Sequence, residues 1–434
     1  MKRHMMVLLL ILFLLPVSAN AEIKTVTHTI KQPFGGSQSP DDARTAAIAK
    51  AKREALEQFG TYIESTTVVK NSQLDSEEIL ALSAGVTKAE VIKQKNYTDG
   101  DAFGIEITVK VVLDTAVLEK NLKKLLEDRN HLKELKAALI RQNELLVKLV
   151  ELEKQNKQQS KTEQQENVLR MGFQSTSQRL IAIELFTKAF YIWMDNEPAT
   201  LKLVIDYLTQ AINLAPDFTP AYINRATAFI YAKRIDSALE DLNKAIQLDS
   251  SIALAYHNRG NIYKTLDQVS LARSDYNKAI LLDSNNAEYY ISRSALYAEM
   301  YEYSEALGDL KRAIYLDPKN AKAYYNSGLI HANLNQLNLA IADFNQAINL
   351  DKKLMKAYVN RGTAYAKLQK NELAILDFDK AINLDPNNAI VYSNRGIAQL
   401  MLNKSRKGCA DIKKACKLGV CNVYESVKKD KLCK

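Results

Sequence analysis

Two stretches of the chain, AYHNRGNIYKTLDQVSLARSDYNKAILLD (255–283) and AYVNRGTAYAKLQKNELAILDFDKAINLD (357–385), are copies of one pattern. The pattern occurs six times in succession, without insertion or deletion. A small residue marks the same position in every copy, with a constant period of 34: Ala226, Gly260, Ser294, Gly328, Gly362 and Gly396. Self-similarity at this period predicts a mainly α-helical solenoid, because each copy buries its apolar face only against its neighbours.

Further positions of the pattern have a physical role. A tyrosine precedes each small residue by four positions, as in Tyr256 and Tyr358. A large aromatic or aliphatic residue lies sixteen positions after each small residue. A small residue lets two antiparallel helices approach, and the large residue fills the gap between them. The pattern resembles the tetratricopeptide repeat (TPR). The resemblance implies a right-handed superhelix of antiparallel helix pairs, with six repeats over 219–420 and a cap over 421–434. A divergent repeat is expected at 185–218. It contains Trp193, which is interpreted either as a structural residue of this end repeat or as a stacking surface for a ligand.

Residues 1–21 have the features of a secretory signal peptide. Lys2 and Arg3 precede an apolar run of about eleven residues, which is too short to span a membrane. A cleavage motif of small residues follows and ends at Ala21. We expect cleavage after Ala21, a periplasmic or secreted protein, and no transmembrane segment in the mature chain.

Residues 22–115 are predicted to form a small α+β domain. A strand over 24–30 precedes an Ala-rich helix that we expect Gly60 to end, and TYIESTTVV (61–69) has strand character. A short helix, SEEILALSAG, and a hairpin with a TDGD turn (98–101) follow. This segment resembles the N-terminal domain of the flagellar H-ring assembly protein and of small outer-membrane lipoproteins. The resemblance implies an assembly module of the cell envelope.

Residues 116–155 are predicted to form a long helix. Leu118, Leu125, Leu132, Leu139 and Leu146 recur at every seventh position, and Leu135 and Leu149 extend the apolar seam. The weaker core positions are Asn121, Asp128 and Gln142. The helix over 118–149 therefore either pairs with a second copy as a coiled coil or packs on its own chain. Residues 156–180 are glutamine-rich and are predicted to be a polar linker or a solvated helix.

The positive charge is concentrated at the C-terminus. The whole chain has 59 basic and 50 acidic residues, and residues 403–434 alone have 10 basic and 3 acidic. Nucleic-acid binding is not expected, because its footprint would be spread over a face or groove. The basic end is either a solvated cap or a contact to an anionic surface.

All four cysteines, Cys409, Cys416, Cys421 and Cys433, lie close to the C-terminus. In an exported protein an even number favours disulfides over metal binding, and three pairings are possible. Cys409 and Cys416 are about 10 Å apart along one helix, which is too far for a bond. If the chain turns back at GVCN, the pairs are Cys409–Cys433 and Cys416–Cys421.

The resemblance implies that the first helices line a concave face that binds peptides or proteins. Two positions before the small residue, the repeats carry asparagine in five cases, and the candidate binding residues are Asn224, Asn258, Asn326, Asn360 and Asn394, with His257 and Tyr325 beside them. A row of amides can hold the backbone of an extended peptide. The alternative is that these amides bond locally or face water. The family's carboxylate-clamp residues are absent.

The sequence contains no catalytic motif and no metal-ligand spacing, and we expect no cofactor. The favoured hypothesis is an exported, non-enzymatic scaffold that binds a protein or an extended peptide, in cell-envelope assembly. A structural spacer or oligomeric envelope component is the first alternative. An enzyme with its activity in the N-terminal domain is the second.

Overall fold

A computed structural model describes residues 23–64, 75–99, 102–114, 129–157, 162–195, 200–429 and 433. The chain divides into two compact units, Met1–Leu248 and Asp249–Lys434. The predicted signal peptide and its cleavage site lie outside the described residues. Within those residues, no helix is both long enough and apolar enough to cross a membrane.

The N-terminal unit begins with a small sheet and two helices. Its strands are β1 (Ile23–Phe34), β2 (Thr87–Asp99) and β3 (Ala102–Asp114), all antiparallel in the order β1-β3-β2. Helices α1 (Pro40–Glu64) and α2 (Ser76–Val86) lie between β1 and β2 in sequence. The predicted small α+β domain is therefore present, with a three-stranded sheet.

The sheet and α1 bury a shared apolar layer. Alternate residues of β3 are buried, as expected of a strand with one covered face: Ile105, Ile107, Val109 and Val111. The facing side of α1 is formed largely by alanines, which allow the helix to lie close to the sheet: Ala43, Ala46, Ala47, Ala51 and Ala55.

Helix α1 does not end at Gly60 as predicted, but continues to Glu64. A Cβ atom at Gly60 would lie 3.4 Å from Cγ2 of Ile79 in α2, which is an ordinary van der Waals contact, so Gly60 lies in the packed interface between the two helices. Ile63, one turn further, is fully buried. The strand predicted over 61–69 is wrong for 61–64, which are helical; 65–69 and the turn residues 100–101 lie outside the described residues.

Two long helices follow: α3 (Arg129–Asn156) and α4 (Glu163–Asp195). The leucine seam of α3 is buried against α2 and α4 of the same chain, at Leu132, Leu135, Leu139, Leu146 and Leu149. Gln142, a weak position of the predicted seam, is buried too. In the described part of the seam, the leucines therefore pack on their own chain and are not free to pair with a second copy. Leu118, Leu125, Asn121 and Asp128 lie outside the described residues.

The sequence predicts a linker or a solvated helix over 156–180. Residues 163–180 belong to α4, and Leu169 and Phe173 are buried in its contact with α3. Gly172 allows this approach, since a Cβ atom there would lie 3.1 Å from Leu152. This part of α4 is therefore packed on one side. The packing is not evident from the sequence because the apolar residues are sparse among glutamine and glutamate.

The rest of the chain consists of paired helices. In the N-terminal unit these are α5 (Leu201–Leu214), α6 (Thr219–Tyr231) and α7 (Ile235–Leu248). The C-terminal unit has five pairs, one per repeat: α8 (Ala253–Thr265) with α9 (Val269–Leu282), α10 (Ala287–Glu299) with α11 (Tyr303–Leu316), α12 (Ala321–Asn333) with α13 (Leu337–Leu350), α14 (Met355–Lys367) with α15 (Asn371–Leu384), and α16 (Ala389–Met401) with α17 (Ser405–Lys417). A short helix, α18 (Asn422–Lys429), follows.

The same turn joins the two helices of every repeat. One residue adopts a positive φ of 57–62° in each, at Lys233, Asp267, Tyr301, Asn335, Gln369 and Asn403. The next residue donates its N–H to the carbonyl five positions earlier, for example Glu302 to Tyr297 at 2.9 Å. This is a Schellman motif, which satisfies the last carbonyls of the first helix.

Contact between the two helices of a repeat depends on the small residue and the large residue sixteen positions later. A Cβ atom at Gly328 would lie only 2.6 Å from the ring of Phe344, and one at Gly362 would lie 2.9 Å from Phe378. Where the small position holds alanine or serine, the large position holds leucine: Ala226 with Leu242 and Ser294 with Leu310. Three of the four glycines thus face an aromatic ring, whereas Gly396 faces Ile412.

A repeated ion pair adds to this contact. In five repeats the arginine before the small residue forms a bidentate pair with the aspartate sixteen later, as in Arg361 to Asp377 at 2.6 and 2.8 Å. Nη1 of Arg361 also donates to Asn345 on the preceding repeat, at 2.6 Å. The arginine therefore links three helices. Repeat 4 has serine instead, and Ser327 and His331 bind Asp343 in its place, at 2.6 and 2.8 Å.

The C-terminal end is closed by two disulfides. The structure joins Cys409 to Cys433 and Cys416 to Cys421, with Cα–Cα distances of 5.5 and 4.0 Å. These are the pairs inferred from the sequence. Val427 of α18 is buried against Ile412 of α17, so the last helix covers the end of the array.

The Gly328–Phe344 contact can be tested with a double-mutant cycle. Alanine is favoured over glycine in a helix by up to about 1 kcal/mol, but overpacking a core costs about 1–3 kcal/mol. We expect Gly328→Ala to destabilise the wild-type background and to stabilise the Phe344→Leu background. The coupling energy between the two substitutions, measured by urea unfolding, should be about 1–3 kcal/mol. An equal effect of Gly328→Ala in both backgrounds would contradict this account.

Candidate functional site

The candidate surface of the C-terminal unit is formed by the first helices of its repeats. Helices α8, α10, α12, α14 and α16 contact one another in succession. Because the first helices lie side by side, residues at equivalent positions form rows that run from repeat to repeat. The first row consists of the residues three positions before the small residue. The second row consists of the residues two positions before it.

The five candidate asparagines all lie in these first helices and are partly buried: Asn224 in α6 and Asn258, Asn326, Asn360 and Asn394 in the C-terminal unit. The neighbouring His257 is only 5% exposed, and Tyr325 is partly buried. The asparagines in the C-terminal unit thus form part of one surface, but their hydrogen bonds differ.

The two rows are connected by hydrogen bonds between adjacent repeats. Nε2 of His257 lies 2.9 Å from Oγ of Ser292, and Nδ2 of Asn360 donates to the Tyr325 hydroxyl at 3.0 Å. In both cases a polar residue in the first row reaches the second-row residue of the following repeat, 35 positions later. Asn360 therefore uses one of its two donors inside the protein.

Asn326 and Asn394 differ from Asn360 because the first-row residues of the preceding repeat are apolar. The residues 35 positions earlier are Ile291 and Val359, which have no hydrogen-bonding group in their side chains. Within the described residues, neither the Asn326 nor the Asn394 side chain forms a hydrogen bond. Each keeps two donors and an acceptor for an external group. The row of asparagines is therefore not uniform, and these two members are the ones left open.

In the N-terminal unit, Asn224 lines a pocket of about 280 Å³, including its mouth. Its walls come from α4, α5 and α6, and are mostly apolar: Ala189, Phe190, Trp193, Val204, Leu208 and Thr227. The ring of Trp193 also contacts Tyr231 edge-on, at 5.1 Å between centroids. Trp193 is therefore both a packing residue and a wall of the pocket. Asn224 forms no side-chain hydrogen bond within the described residues.

His257 belongs to a buried polar network. Nδ2 of Asn261 lies 3.4 Å from its Nε2, and the Tyr276 hydroxyl donates to Asn261 at 2.8 Å. The Tyr289 ring stacks obliquely at 4.9 Å. Burial, with a smaller contribution from the positive charge of Lys322, lowers the pKa of His257 to about 4, although a hydrogen bond with Asn258 acts in the opposite direction. His257 is therefore a neutral hydrogen-bonding residue at pH 7.

Comparison with protein families decides the identity of the repeats. A tetratricopeptide repeat model matches residues 219–252 and 253–286, and a TPR repeat model matches 328–369 and 362–403. The chain contains tetratricopeptide repeats. TPR repeats bind proteins, and the chain is accordingly a TPR protein-binding scaffold. These matches lie outside 22–115, so the resemblance of that segment to envelope assembly proteins stays a prediction.

Solved structures of other proteins share the helical array. A chain of the APC/C Cut9–Hcn1 hetero-tetramer is 14% identical, with a TM-score of 0.50 over 91% of this chain and 73% of that one, which shows the fold alone. YrrB, described as a TPR protein with an unusual peptide-binding site, is 27% identical over 45% of this chain and 97% of its own, with a TM-score of 0.36. PilF of Pseudomonas aeruginosa is 20% identical over 49% and 97%, with a TM-score of 0.46. A comparison with curated proteins finds no match.

Sequence reasoning missed two features of the site. The apolar pocket is formed by Phe190, Val204 and Leu208, which come from a repeat too divergent for its groove positions to be aligned. The hydrogen bonds between rows were also missed, although a spacing of 35 between polar residues would have indicated them. No three His, Cys, Asp or Glu side chains of the described residues are arranged to hold a metal ion.

The buried His257 predicts a loss of stability in acid. Its pKa is about 4 in the folded state and about 6.5 unfolded, so the unfolded state binds more protons between these values. Its contribution to the free energy of unfolding is complete above pH 6.5 and is lost as the pH falls towards 4. Between about pH 7 and about pH 4.5, the free energy of unfolding should fall by about 2–3 kcal/mol more in the wild type than in His257→Gln. Urea unfolding at both pH values measures this, and equal falls would contradict it.

Proposed function

We propose that this TPR scaffold captures an extended, largely uncharged polypeptide segment on its first-helix surface. The observation that carries the proposal is the pair of open amides, Asn326 and Asn394. Both are partly buried on first helices, and neither side chain bonds to the protein within the described residues. They lie two repeats apart, so they are suited to a long ligand rather than to a small molecule.

An amide side chain can bind a peptide backbone without reading its sequence. Its N–H group donates to a backbone carbonyl and its oxygen accepts from a backbone N–H, which matches the two groups that every residue except proline offers. Asn326 and Asn394 would hold the ligand's main chain at two points. Val359, which lies in the adjacent row and is partly exposed, would contact its side chains.

The ligand is expected to be uncharged because the arginines beside the asparagine row are already paired. The guanidinium groups of Arg293, Arg361 and Arg395 are each bound in a bidentate manner by an aspartate at 2.6–2.8 Å. Removing one of them to bind a ligand carboxylate would leave a buried aspartate uncompensated, which is strongly unfavourable. An acidic peptide or a C-terminal carboxylate is therefore a poor ligand.

An apolar side chain is the second expected feature of the ligand. The shallow pocket bordered by Trp193 and Phe190 would receive the tip of an apolar side chain, and Asn224 at its edge supplies a polar contact. Aromatic walls with a few polar groups are typical of ligand-binding pockets.

Export and a role in envelope assembly are part of the same proposal. Two disulfides in the C-terminal cap support an oxidising compartment, in which such bonds persist. The charged and apolar N-terminus supports secretion. The mass and N-terminal sequence of the chain recovered from a periplasmic or culture fraction test this part, and an intact Met1 on the exported protein would contradict cleavage after Ala21.

The binding surface is tested with peptides selected from a phage-displayed random library on the immobilised full chain. We expect the selected peptides to share an apolar anchor residue and to need no acidic group. N326A/N394A should weaken their binding about tenfold, because two amide hydrogen bonds contribute about 0.5–1.5 kcal/mol each. Dissociation constants come from isothermal titration calorimetry.

The matched control is N349A/N383A. These two exposed asparagines are separated by one repeat period, but they lie on the second helices α13 and α15. The control should bind as the wild type does, and circular dichroism should show that both variants are folded. Equal affinity of N326A/N394A and the wild type would refute the proposed surface, as would peptides that depend on a free C-terminal carboxylate.

A further inference from the structure

The outer face of the last second helix, α17, is almost wholly basic. Its core face consists of Gly408, Ile412 and Ala415, which are buried. Apart from Ser405 at the start of the helix and Ala410, every exposed residue of α17 is basic: Arg406, Lys407, Lys413, Lys414 and Lys417. These residues extend over about 16 Å of helix, at 1.5 Å per residue.

This composition is peculiar to the last repeat. At the equivalent positions of the preceding repeat, on α15, the outer face carries a mixture of acidic, apolar, basic and polar residues: Glu372, Leu373, Asp379, Lys380 and Asn383. The basic face is therefore not a general property of these second helices. The core face of α17 still holds small or apolar residues, so the excess of basic residues is confined to the solvent side.

The basic groups are not neutralised within the described residues. Asp411, the acidic residue of α17, is bound by Arg395 at 2.7 and 2.8 Å. The five basic residues form no ion pair with any described residue. Lys404 before the helix and Lys428 and Lys429 of α18 are also exposed and unpaired in the described chain.

The disulfides hold this charge on a rigid support. Cys409–Cys433 connects α17 to the residues after α18, and Cys416–Cys421 closes the turn between the two helices. Like charges repel one another, and a free helix with this many lysines would be destabilised. The covalent links and the buried Val427 keep the charged face formed.

We propose that this face, here named the basic cap face (Arg406, Lys407, Lys413, Lys414 and Lys417), docks on an anionic phospholipid surface. The interaction needs only a layer of negative charge, because lysine is a hydrated point charge rather than a bidentate fork. Polybasic clusters bind such surfaces with about fivefold gain in partitioning per basic residue.

Other polyanions fit this face less well. A protein partner would need a desolvated apolar centre, and the face offers only Ala410. A single-stranded nucleic acid would need aromatic side chains for stacking, and none lies on this arc. The face is the convex side of one helix, without a groove that could follow a duplex backbone.

The test is co-sedimentation of the full, oxidised chain with vesicles. Mixed phosphatidylglycerol–phosphatidylcholine vesicles should bind it at low ionic strength, and vesicles of phosphatidylcholine alone should not. K413Q/K414Q/K417Q should lower the partition coefficient about 100-fold, as three losses of about fivefold predict. K413R/K414R/K417R should bind as the wild type does, because the charge is retained. High salt should abolish the binding.

The matched control is K352Q/K353Q/K356Q, which removes three exposed lysines near the start of α14. It should bind vesicles as the wild type does. Three results would overturn the proposal: no binding to the anionic vesicles, equal losses in the test and control variants, or tighter binding to a duplex DNA probe than to the vesicles. Peptide capture should be unaffected by K413Q/K414Q/K417Q, so the two proposals fail independently.

Discussion

The close contact between a small residue of the first helix and a large residue sixteen positions later is the constraint on which the array depends. At Gly328 the ring of Phe344 occupies the space in which a Cβ atom would lie. This contact fixes the distance between the two helices of a repeat. At that distance the arginine beside the small residue meets its aspartate in bidentate geometry and reaches the preceding repeat as well. Packing thus sets the distance between the helices, and the bidentate ion pairs restrict their relative orientation.

The same regularity determines which polar groups are available to a partner. Because the repeats are in register, a residue three positions before the small residue lies beside the asparagine row of the following repeat. A polar residue there, such as Tyr325, binds an amide, and an apolar one, such as Ile291, leaves it open. The binding surface is therefore set in part by side chains in the neighbouring row. The basic cap face follows a related rule, since its five basic residues all lie at solvent-exposed positions of the repeat.

The repeat architecture was predictable because its information is local and repeated six times. The repeat period, the small and large positions and the three strands β1 to β3 were all predicted from the sequence, and the structure contains them. Features that depend on distant contacts were not. Gly60 looks like a helix end, but α1 continues past it, and Ile63 one turn further is fully buried. The leucine seam fits a coiled coil equally well until α4 is seen to cover it. The unequal asparagines depend on a residue 35 positions away.

Photo-crosslinking tests the central claim, that the first-helix surface binds an extended peptide, most directly. A selected peptide carrying benzophenone at successive positions is bound to the full chain, irradiated, and mapped by mass spectrometry. The account predicts crosslinks in α12 (Ala321–Asn333) and α16 (Ala389–Met401), displaced along the array as the label moves along the peptide. Crosslinks confined to the second helices α13 and α15, or to the N-terminal sheet, would contradict it.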